Sequence, residues 1–523
     1  MEANSAEHAI ASVHEGQFVI QRSISLYASC VVAGGSLYAA SFAPLGWWPA
    51  QFAALGLLQF CALELGRRKR GRLLTALLSL LFAIIAFGAG ATWVYEALHR
   101  YSGQGKIGAF ICSLAFVLYL SAFVVAPSLL AAWAKHKGAS DILALSLFTG
   151  SWLCGEWLRS QFWGGYTLEA VGYAHVDSWL QGYGPVFGVY GLTIIVLSMT
   201  AFILVALRHP GNAHKVAAIT LFIVVLAGGV ALSHVEWTEP VGEPLRVRLL
   251  QGNVTQLKKF ESEGRHLSLN VYQDLITAQP ADIILTPETA LPLFLDELPT
   301  GYMQSLRSFA ENTGSTVIVG IPVLSTSGAA YDSMLGIMPR SQDRLVRYDK
   351  IHLSPVGEYA PAGLGWLTQN FTIPLKDFSP GDFTQPTWRI KGQVLGMNIC
   401  HEDLFGEELA DRLQDATILV NASNLAWFHG SVAFWQRTQA SRMRALELGR
   451  PVLRVANTGT TALIDIKGQV TQSLPDFQRG VLDGVVRGRR GTTPYTRWEN
   501  HPALTASILL CLLSTVCVIR RPA

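Results

Sequence analysis

Residues 393–407 read QVLGMNICHEDLFGE, and this stretch indicates the fold of the second half of the chain. The apolar run from Gln393 to Ile399 is short and ends directly at a thiol that is followed by acidic residues. A run of this length between polar residues predicts a buried strand. Cys400 is the only cysteine between residues 236 and 500, so it is a candidate nucleophile, with an inert buried thiol as the alternative.

Comparable apolar runs lie on both sides of Cys400 and alternate with amphipathic patterns of helical period. The segments 332–339 and 344–353 predict a hairpin that turns across Arg340–Asp343. A helix is predicted to begin after Ser431, its candidate N-cap, and to run to Leu448. Strands that alternate with helices predict a layered α/β domain. The other predicted strands are 245–253, 281–287, 315–322, 416–423, 451–457 and 461–468, and the other predicted helices are 260–279 and 299–313.

Two more polar side chains stand at predicted strand ends. Glu288 follows the run ADIILTP, and Lys350 lies in RYDKIHLSP. A carboxylate can take the proton of a thiol as general base. A fixed ammonium can stabilise a thiolate and the oxyanion that forms when it attacks a carbonyl. Taken singly, Glu288 reads as a solvated strand end and Lys350 as a surface charge, but with Cys400 they form a coherent catalytic set.

Charge is distributed unevenly along the chain. The sequence has 40 basic and 37 acidic residues, yet residues 23–235 hold only 18 of them. Apolar stretches of about 20 residues can cross a bilayer as helices. We therefore predict an α-helical membrane domain of eight transmembrane helices around the α/β domain. The predicted spans are 25–43, 47–65, 72–97, 107–134, 140–157, 187–207, 215–233 and 502–519.

Basic residues favour one set of connections between these spans. The connections near residues 67–72, 135–137 and 208–215 and the C-terminal tail are basic, whereas the opposite ones hold few positive charges. Because basic connections face the cytoplasm, both termini are expected there. Residues 1–24 lack a basic region and a cleavage site, so they read as a cytoplasmic tail and not as a signal peptide. The remaining expected divisions are a seven-helix domain (25–235), an outward-facing domain (236–500) and a last helix with its tail (501–523).

Several classes of function are disfavoured. A net charge of +3 gives no sign of nucleic-acid binding. The histidines His352, His401 and His429 lack the spacing of metal ligands, and no glycine-rich phosphate loop occurs. We therefore expect no metal, no nucleotide and no other cofactor.

Longer motifs surround the three candidate residues. PETALP (287–292), KIHLSPVGEYAP (350–361) and NICHEDLFGE (398–407) occur in this order, and the ordered Glu, Lys and Cys resemble the nitrilase superfamily. Within it, the chain resembles the apolipoprotein N-acyltransferases of bacterial envelopes. That likeness rests on the spans, seven before the domain and one after it, and on LLQGNVTQ (249–256), LVNASNLAWF (419–428) and SRMRALELGRPVLRVANTG (441–459).

The resemblance implies an αββα sandwich that faces the periplasm of a bacterial inner membrane. It implies that Glu288 is the general base, Lys350 the transition-state stabiliser and Cys400 the nucleophile. Glu358 and Glu402 match further acidic positions that the family uses beside these three.

The chain departs from the family pattern at two positions. His401 stands where a tyrosine usually follows the nucleophile, which adds a titratable group beside the thiol. Phe260 stands where a tryptophan is usual, which bears on how acyl chains are gripped. Trp366, Trp427 and Phe428 are expected to roof the site and exclude water, with ordinary aromatic packing as the alternative.

The resemblance also implies the reaction. The donor would be a membrane phospholipid, whose acyl chain passes through a thioester to the α-amino group of a diacylglyceryl-cysteine on an apolipoprotein. Two other hypotheses remain open: a membrane-tethered amidohydrolase that uses water as acceptor, and a non-catalytic scaffold or transporter. The presence of all three residues, Glu288, Lys350 and Cys400, disfavours a non-catalytic scaffold or transporter. The eight spans and the longer motifs disfavour the amidohydrolase.

Overall fold

The computed structural model describes residues 24–521, apart from 69, 104, 210, 340–344, 364 and 366–376. A helical half comes first, an α/β half follows it, and the C-terminal helix packs back onto the helical half. Two short 3₁₀ helices, Val171–Asp177 and Gln181–Tyr183, connect the sixth helix to the seventh. The helices of the first half are α1 (Ile24–Ala40), α2 (Trp48–Gly66), α3 (Gly71–Gly90), α4 (Thr92–Tyr101), α5 (Gly105–His136), α6 (Asp141–Gln161), α7 (Gly184–Arg208) and α8 (Asn212–Ser233).

Each of the eight predicted spans corresponds to helix, but not all to the same degree. Helix α1 is apolar but shorter than a full span, and α2 and α6 bury polar side chains such as Gln59 and Glu156. The predicted span 72–97 is wrong in its extent, because α3 ends at Gly90 and α4 begins at Thr92. Within the part of the chain that is described, five segments are long and apolar enough to cross a membrane: Gly71–Gly90, Gly105–His136, Gln181–Arg208, Asn212–Ser233 and His501–Ile519.

The basic connections meet at one end of the helical half. Asp141, the first residue of α6, is contacted by Lys135 at 2.6 Å, Arg208 at 2.6 Å and Arg67 at 3.3 Å. Glu64 adds a second carboxylate, 2.6 Å from Arg208. These five side chains, the bundle-end cluster, join α2, α5, α6 and α7, so that the ends of four helices are held together by ion pairs.

The α/β half contains two six-stranded sheets. In the first sheet the strand order is β13-β2-β3-β4-β5-β6, and in the second it is β12-β11-β10-β9-β8-β7. The outermost strands β1 and β14 form a separate antiparallel pair. The strands are β1 (Thr238–Pro240), β2 (Leu245–Gln251), β3 (Ile283–Leu285), β4 (Thr316–Leu324), β5 (Ala330–Ile337), β6 (Leu345–Asp349), β7 (Trp388–Ile390), β8 (Gln393–Ile399), β9 (Ile418–Ser423), β10 (Val452–Ala456), β11 (Ala462–Ile464), β12 (Val470–Ser473), β13 (Gly480–Val486) and β14 (Arg489–Gly491).

The sheets pack face to face and carry helices on their outer faces. One core cluster combines Leu249 and Ile318 of the first sheet with Val420 and Leu453 of the second. Two further clusters place α10 and α11 on the first sheet and α12 and α13 on the second. These are the four layers of an αββα sandwich, as expected. The helices of this half are α9 (Gln256–Lys259), α10 (Ser262–Thr277), α11 (Tyr302–Thr313), α12 (Gly406–Arg412), α13 (Ala433–Leu448) and α14 (Pro494–Trp498), and α15 (His501–Ile519) ends the chain.

Most predicted elements occur within a few residues of their expected limits. The predicted hairpin is present, since β5 pairs antiparallel with β6, although its turn lies outside the described residues. The expected N-cap was wrong. Val432 occupies that position, and the Ser431 hydroxyl has no hydrogen-bond partner among the described residues.

The α/β half is joined to the helical half at a bend in α7. Gly188 has φ of +65°, which interrupts the regular helix, and an added Cβ would lie 2.4 Å from the Tyr495 ring. The bend frees the backbone N–H of Val189, which donates to Glu447 of α13 at 2.8 Å. A side chain of the α/β half thus satisfies a backbone group that the helix itself leaves open.

Candidate functional site

The ends of three strands bring the predicted residues together. Glu288 follows β3, Lys350 follows β6, and Cys400 follows β8. All three side chains are buried, and the charges of Glu288 and Lys350 both act on the Cys400 thiol. The strands belong to both sheets, so the site lies where the two layers of the sandwich meet.

Lys350 is fully buried and connects the carboxylates. Its Nζ donates to Glu288 Oε1 at 2.8 Å and to Glu358 Oε1 at 2.6 Å. The second oxygen of Glu288 accepts from the backbone N–H of Asn424 at 2.6 Å, and that of Glu358 accepts from Ser354 N–H at 2.7 Å. Both carboxylates are therefore held by donors on each oxygen, which fixes their orientation.

A close approach of backbone to backbone places Glu288. The loop that carries it lies on β4, where a Cβ on Gly320 would be 2.1 Å from the Pro287 carbonyl oxygen. Gly320 also accepts the Leu291 N–H at 3.0 Å. Only glycine leaves room for this contact, and any larger residue would push Glu288 away from Lys350.

Cys400 has a strained backbone. It opens the 3₁₀ turn Cys400–Leu404 with φ of +49°, a value that residues with a Cβ rarely adopt. Its carbonyl accepts from Asn421 Nδ2 at 3.2 Å, and Asn421 is in turn held by Arg454 at 2.6 Å. Such strain persists only where the surroundings enforce it, and it is frequent at functional sites.

The protonation states of these groups suit a base-assisted nucleophile. Burial and the Glu288 carboxylate raise the pKa of the Cys400 thiol to about 12, so the thiol is protonated at neutral pH. Burial disfavours the charge of Glu288, but the Lys350 ammonium outweighs it and holds the pKa of Glu288 below its ordinary value. Burial acts against Lys350 too, yet Glu288 and Glu358 raise the pKa of Lys350 well above its ordinary value. The set thus contains a neutral thiol, an ionised carboxylate and a charged amine.

Glu402 connects the backbone at Cys400 to the backbone at Lys350. It is fully buried, and its two oxygens accept from the backbone N–H groups of Ile399 at 2.6 Å and Ile351 at 2.8 Å. The Tyr348 hydroxyl donates to the same carboxylate at 2.8 Å. Because these donors flank Cys400 on one side and Lys350 on the other, Glu402 fixes the separation of the two strand ends.

The geometry of His401 defines its tautomer. Arg437 has only N–H groups to offer, and its Nη2 is 3.1 Å from His401 Nδ1, so Nδ1 accepts. The proton is then on Nε2, which donates to the Gly164 carbonyl of the helical half at 3.0 Å. Burial and the Arg437 guanidinium lower the pKa of His401 well below its ordinary value. His401 is therefore a neutral link between the nucleophile turn and the helical half.

The expected roof is placed in part. Trp427 and Phe428 lie in the 3₁₀ turn Leu425–Phe428, directly after Asn424, and pack against α4. The Trp427 ring is 4.9 Å from Tyr101, and the Phe428 ring is 4.9 Å from Trp93. Trp366 lies outside the described residues.

Phe260 is half-buried. Its neighbour in the chain, Lys259, is close enough to the site for the Glu288 charge to act on it.

Three further residues of the site do not stand out in the sequence. Asp332 lies inside a strand, Arg437 lies on a helix face, and Asn424 acts through its backbone. Only the motif around Asn424 could have pointed to any of them.

Two family models match this chain. The carbon-nitrogen hydrolase model matches residues 246–495, and the model of the apolipoprotein N-acyltransferase N-terminal domain matches residues 34–202. These ranges correspond to the α/β half and to most of the helical half.

Curated relatives match along almost the whole chain. The apolipoprotein N-acyltransferase of Ralstonia nicotianae is 38% identical over 487 residues, which cover 91% of each chain. That of Bordetella bronchiseptica is 35% identical over 541 residues, covering 94% of this chain and 97% of its own. Among solved structures, an amidase from Nesterenkonia sp. is 16% identical, with 51% of this chain and 96% of the amidase covered and a TM-score of 0.35. The NitFhit protein of C. elegans is 15% identical, with 54% and 66% covered and a TM-score of 0.38.

Proposed function

Because the chain belongs to the apolipoprotein N-acyltransferase family, we propose that it moves an acyl chain from a membrane phospholipid to an apolipoprotein. The acceptor is the α-amino group of the N-terminal diacylglyceryl-cysteine, and the product is a triacylated lipoprotein. The observation that carries the proposal is the buried set of a protonated thiol, an ionised Glu288 and a charged Lys350.

In the first half-reaction the Cys400 Sγ attacks the ester carbonyl of the phospholipid. Glu288 takes the thiol proton as the S–C bond forms, and Lys350 stabilises the negative charge that develops on the carbonyl oxygen. The C–O bond then breaks, and Glu288 returns the proton to the departing alkoxide. The products are a thioester on Cys400 and a lysophospholipid.

In the second half-reaction the acceptor amine attacks the thioester. Glu288 removes a proton from the attacking nitrogen, the N–C bond forms, and the C–S bond breaks to release the thiolate, which regains its proton. Two substrates that use one nucleophile in turn give ping-pong kinetics. No metal or cofactor takes part in these steps.

The contact between the turn 425–428 and α4 supports a lipid donor. The rings of Trp427 and Phe428 lie 4.9 Å from rings of the helical half. Asn424, three residues before Trp427, donates its backbone N–H to Glu288, so a short turn connects the proposed base to this aromatic contact between the two halves. We propose that Trp427, Phe428, Phe260 and Trp366 line or roof the acyl site and keep water from the thioester.

The proposed topology follows from the distribution of charge. All eight predicted spans cross the inner membrane, with residues 1–24 and the end of 501–523 in the cytoplasm. The bundle-end cluster faces the cytoplasm, because basic residues are retained on that side. Residues 25–235 form the seven-helix domain, and residues 236–500 form the catalytic domain in the periplasm.

The test uses the purified full-length protein in detergent with a phospholipid as the only acyl donor. Mass spectrometry is expected to find an acyl adduct on the peptide that contains Cys400, and addition of a diacylated lipopeptide should discharge it. C400S should form no thioester and transfer no acyl chain, while its thermal unfolding stays that of the wild type. If wild type forms no adduct under turnover conditions, the lipid-donor proposal is wrong.

The amidohydrolase hypothesis makes a different prediction in the same assay. An amidohydrolase would release acid from small amides and form no adduct with phospholipid. Release of free fatty acid without transfer to the lipopeptide would also favour water as the acceptor.

A further inference from the structure

Asp332 is a third buried carboxyl group beside Glu288 and Glu358. It lies on β5, and its Oδ2 is 3.9 Å from the Lys350 Nζ. Carboxylate oxygens of the three residues lie within 4.8 Å of one another. The Lys350 ammonium contacts all three carboxyl groups, so the protein itself occupies the position that a bound cation would take.

A second amine lies in the field of these carboxyls. Lys259 ends α9, is 1% exposed, and its Nζ has no hydrogen-bond partner within the part of the chain that is described. Burial lowers the pKa of Lys259 to about 8, against the opposing fields of Glu288 and Asp332, so the amine is mostly charged at neutral pH. The site therefore contains two amines and three carboxyls. Lys350 contacts all three carboxyls, and the charge of Lys259 acts on two of them. Since an uncompensated buried charge is costly, one carboxyl is expected to keep its proton.

The hydrogen bonds show which carboxyls are ionised. Glu288 accepts from Lys350 on one oxygen and from Asn424 N–H on the other. Glu358 accepts from Lys350 and from Ser354 N–H in the same way, which supports its charge although burial raises the pKa of Glu358. A carboxylate that receives a donor on each oxygen is stabilised in its charged form.

Asp332 has the weakest support for a negative charge. Besides the distant Lys350, the one donor to its carboxyl among the described residues is the Thr289 hydroxyl, at a long 3.4 Å. Its carboxyl oxygen lies within 4.8 Å of a Glu288 oxygen, and a side-chain hydrogen bond between two carboxyl groups requires a proton on one of them. Burial and the Glu288 charge raise the pKa of Asp332 well above its ordinary value.

We propose that Asp332 is a positioning residue for the base: as a neutral acid it donates a hydrogen bond to Glu288, and the Lys259 ammonium helps to keep Glu288 ionised. This rests on the proposed role of Glu288 as the base for Cys400. Asp332 keeps its own proton during the reaction, because the thiol proton passes to Glu288 and from there to the leaving group. The two residues act through Glu288 and touch no substrate atom.

The experiment measures how Cys400 reacts with iodoacetamide, which forms an S–C bond and releases iodide without any lipid. The full-length protein in detergent is alkylated between about pH 3 and about pH 9, and modification of the Cys400 peptide is quantified by mass spectrometry. The rate falls at low pH because Glu288 becomes protonated. The readout is the half-rate pH, which is the pH at which half of the neutral-pH alkylation rate remains. A merely structural role of a residue would not move the half-rate pH.

The expected shifts follow from charge and donor capacity. D332N should leave the half-rate pH unchanged, because its amide N–H still donates to Glu288. D332A removes the donor and K259M removes a positive charge, and each should raise the half-rate pH by about one unit, since both make Glu288 harder to ionise. K258M, which changes the exposed neighbour of Lys259, is the matched control and should cause no shift.

Three results would overturn the inference. A lower half-rate pH in D332N would show that Asp332 is ionised in the wild type. A rise in the half-rate pH of D332N equal to that of D332A would show that the hydrogen-bond donor at position 332 is not what matters. An unchanged half-rate pH in K259M would remove Lys259 from the set. Thermal unfolding identifies a variant that fails to fold, and if D332A does so, D332N and K259M still decide.

The phospholipid assay separates this inference from the proposed function. If the half-rate pH moves as expected but no acyl adduct forms, the roles inferred for Asp332 and Lys259 stand and the lipid-donor proposal fails. If the adduct forms but the half-rate pH does not move in K259M and D332A, the inference fails and the proposed function stands.

Discussion

Two groups of paired charges in this protein are built in opposite ways. In the bundle-end cluster, three cations surround two carboxylates, and Asp141 alone has three of them within 3.3 Å. Around Lys350, three carboxyls share one ammonium, with Lys259 as a second amine in their field. We call the latter group, Glu288, Asp332, Glu358, Lys350 and Lys259, the strand-end cluster.

The difference indicates which cluster only stabilises the fold and which one can take part in the reaction. Where each carboxylate is saturated with cations, every charge is fixed, and the cluster can only hold helices together. Where carboxyls exceed amines, one carboxyl keeps its proton and can support an ionised neighbour that is free to accept another. The comparison can be tested by removing charges from each cluster and asking whether activity or stability responds.

The largest effect is expected from E288Q. Without an ionised base the Cys400 thiol, whose pKa is about 12, stays protonated, so thioester formation should fall by about 10²–10⁴-fold. Alkylation of Cys400 should fall at neutral pH and recover only as the pH approaches the pKa of the free thiol. Stopped-time mass spectrometry of the Cys400 peptide measures both rates. A variant that keeps its rate at neutral pH would remove Glu288 as the base.

Breaking the bundle-end cluster should instead reduce stability. D141A leaves the buried Lys135 without its carboxylate partner and takes one of two carboxylates from Arg208, which should cost about 2–4 kcal/mol of unfolding free energy. Folded protein should form the thioester at the wild-type rate, because no group of this cluster contacts the site.

The control for D141A is a surface pair of the same kind. Asp177 is half-exposed and pairs with Arg442, so D177A should cost about 1 kcal/mol or less. Chemical denaturation followed by tryptophan fluorescence compares the variants. Equal losses of unfolding free energy in D141A and D177A would contradict a stabilising role for the bundle-end cluster. Slower thioester formation in folded D141A would contradict a role that is limited to stability.

The sequence predicts the strand-end cluster only in part. Glu288, Lys350 and Cys400 were found because each stands where an apolar run stops, and such positions need no knowledge of the tertiary structure. Asp332 opens an apolar run and reads as an ordinary strand residue. Its role depends on carboxyls that are far away in the chain and meet only when β3 and β6 join the same sheet.

The helical half shows the same limit. Each hydropathy span coincides with helix, but one span joins α3 and α4, because apolar residues continue through the break at Ala91. The bundle-end cluster was read as loops of positive charge. The sequence does not show which acids pair with them, because Glu64 and Asp141 stand at the ends of different apolar spans and meet only in the folded bundle.

His401 lies beside the strand-end cluster but carries no charge. Its substitution should therefore have an effect of intermediate size. As a neutral residue it should produce no inflection in the pH dependence of thioester formation near its ordinary pKa. H401Q keeps a donor toward Gly164, but its acceptor oxygen does not stand at the position of Nδ1. The contact with Arg437 is therefore weakened, and the rate should fall by about tenfold at every pH.

The pH profiles of wild type, H401Q and H352Q decide this point. His352 is the control because it also contacts the Gly164 carbonyl, at 3.1 Å. An inflection in wild type that disappears in H401Q but persists in H352Q would show that His401 titrates. Profiles of equal shape and different height would support a neutral link.

The smallest effect is expected where neither cluster is touched. The double variant W427A F428A removes two ring contacts with α4, each worth about 0.5–1.5 kcal/mol, and should slow transfer only about threefold to tenfold. If these rings exclude water, the thioester should also hydrolyse more readily, so the ratio of free fatty acid to acylated lipopeptide should rise. W47A, which removes an exposed tryptophan at the start of α2, is the matched control and should leave that ratio unchanged. A slower transfer with an unchanged ratio would mean that Trp427 and Phe428 only pack the two halves together, and the protection of the thioester would then have to come from other residues.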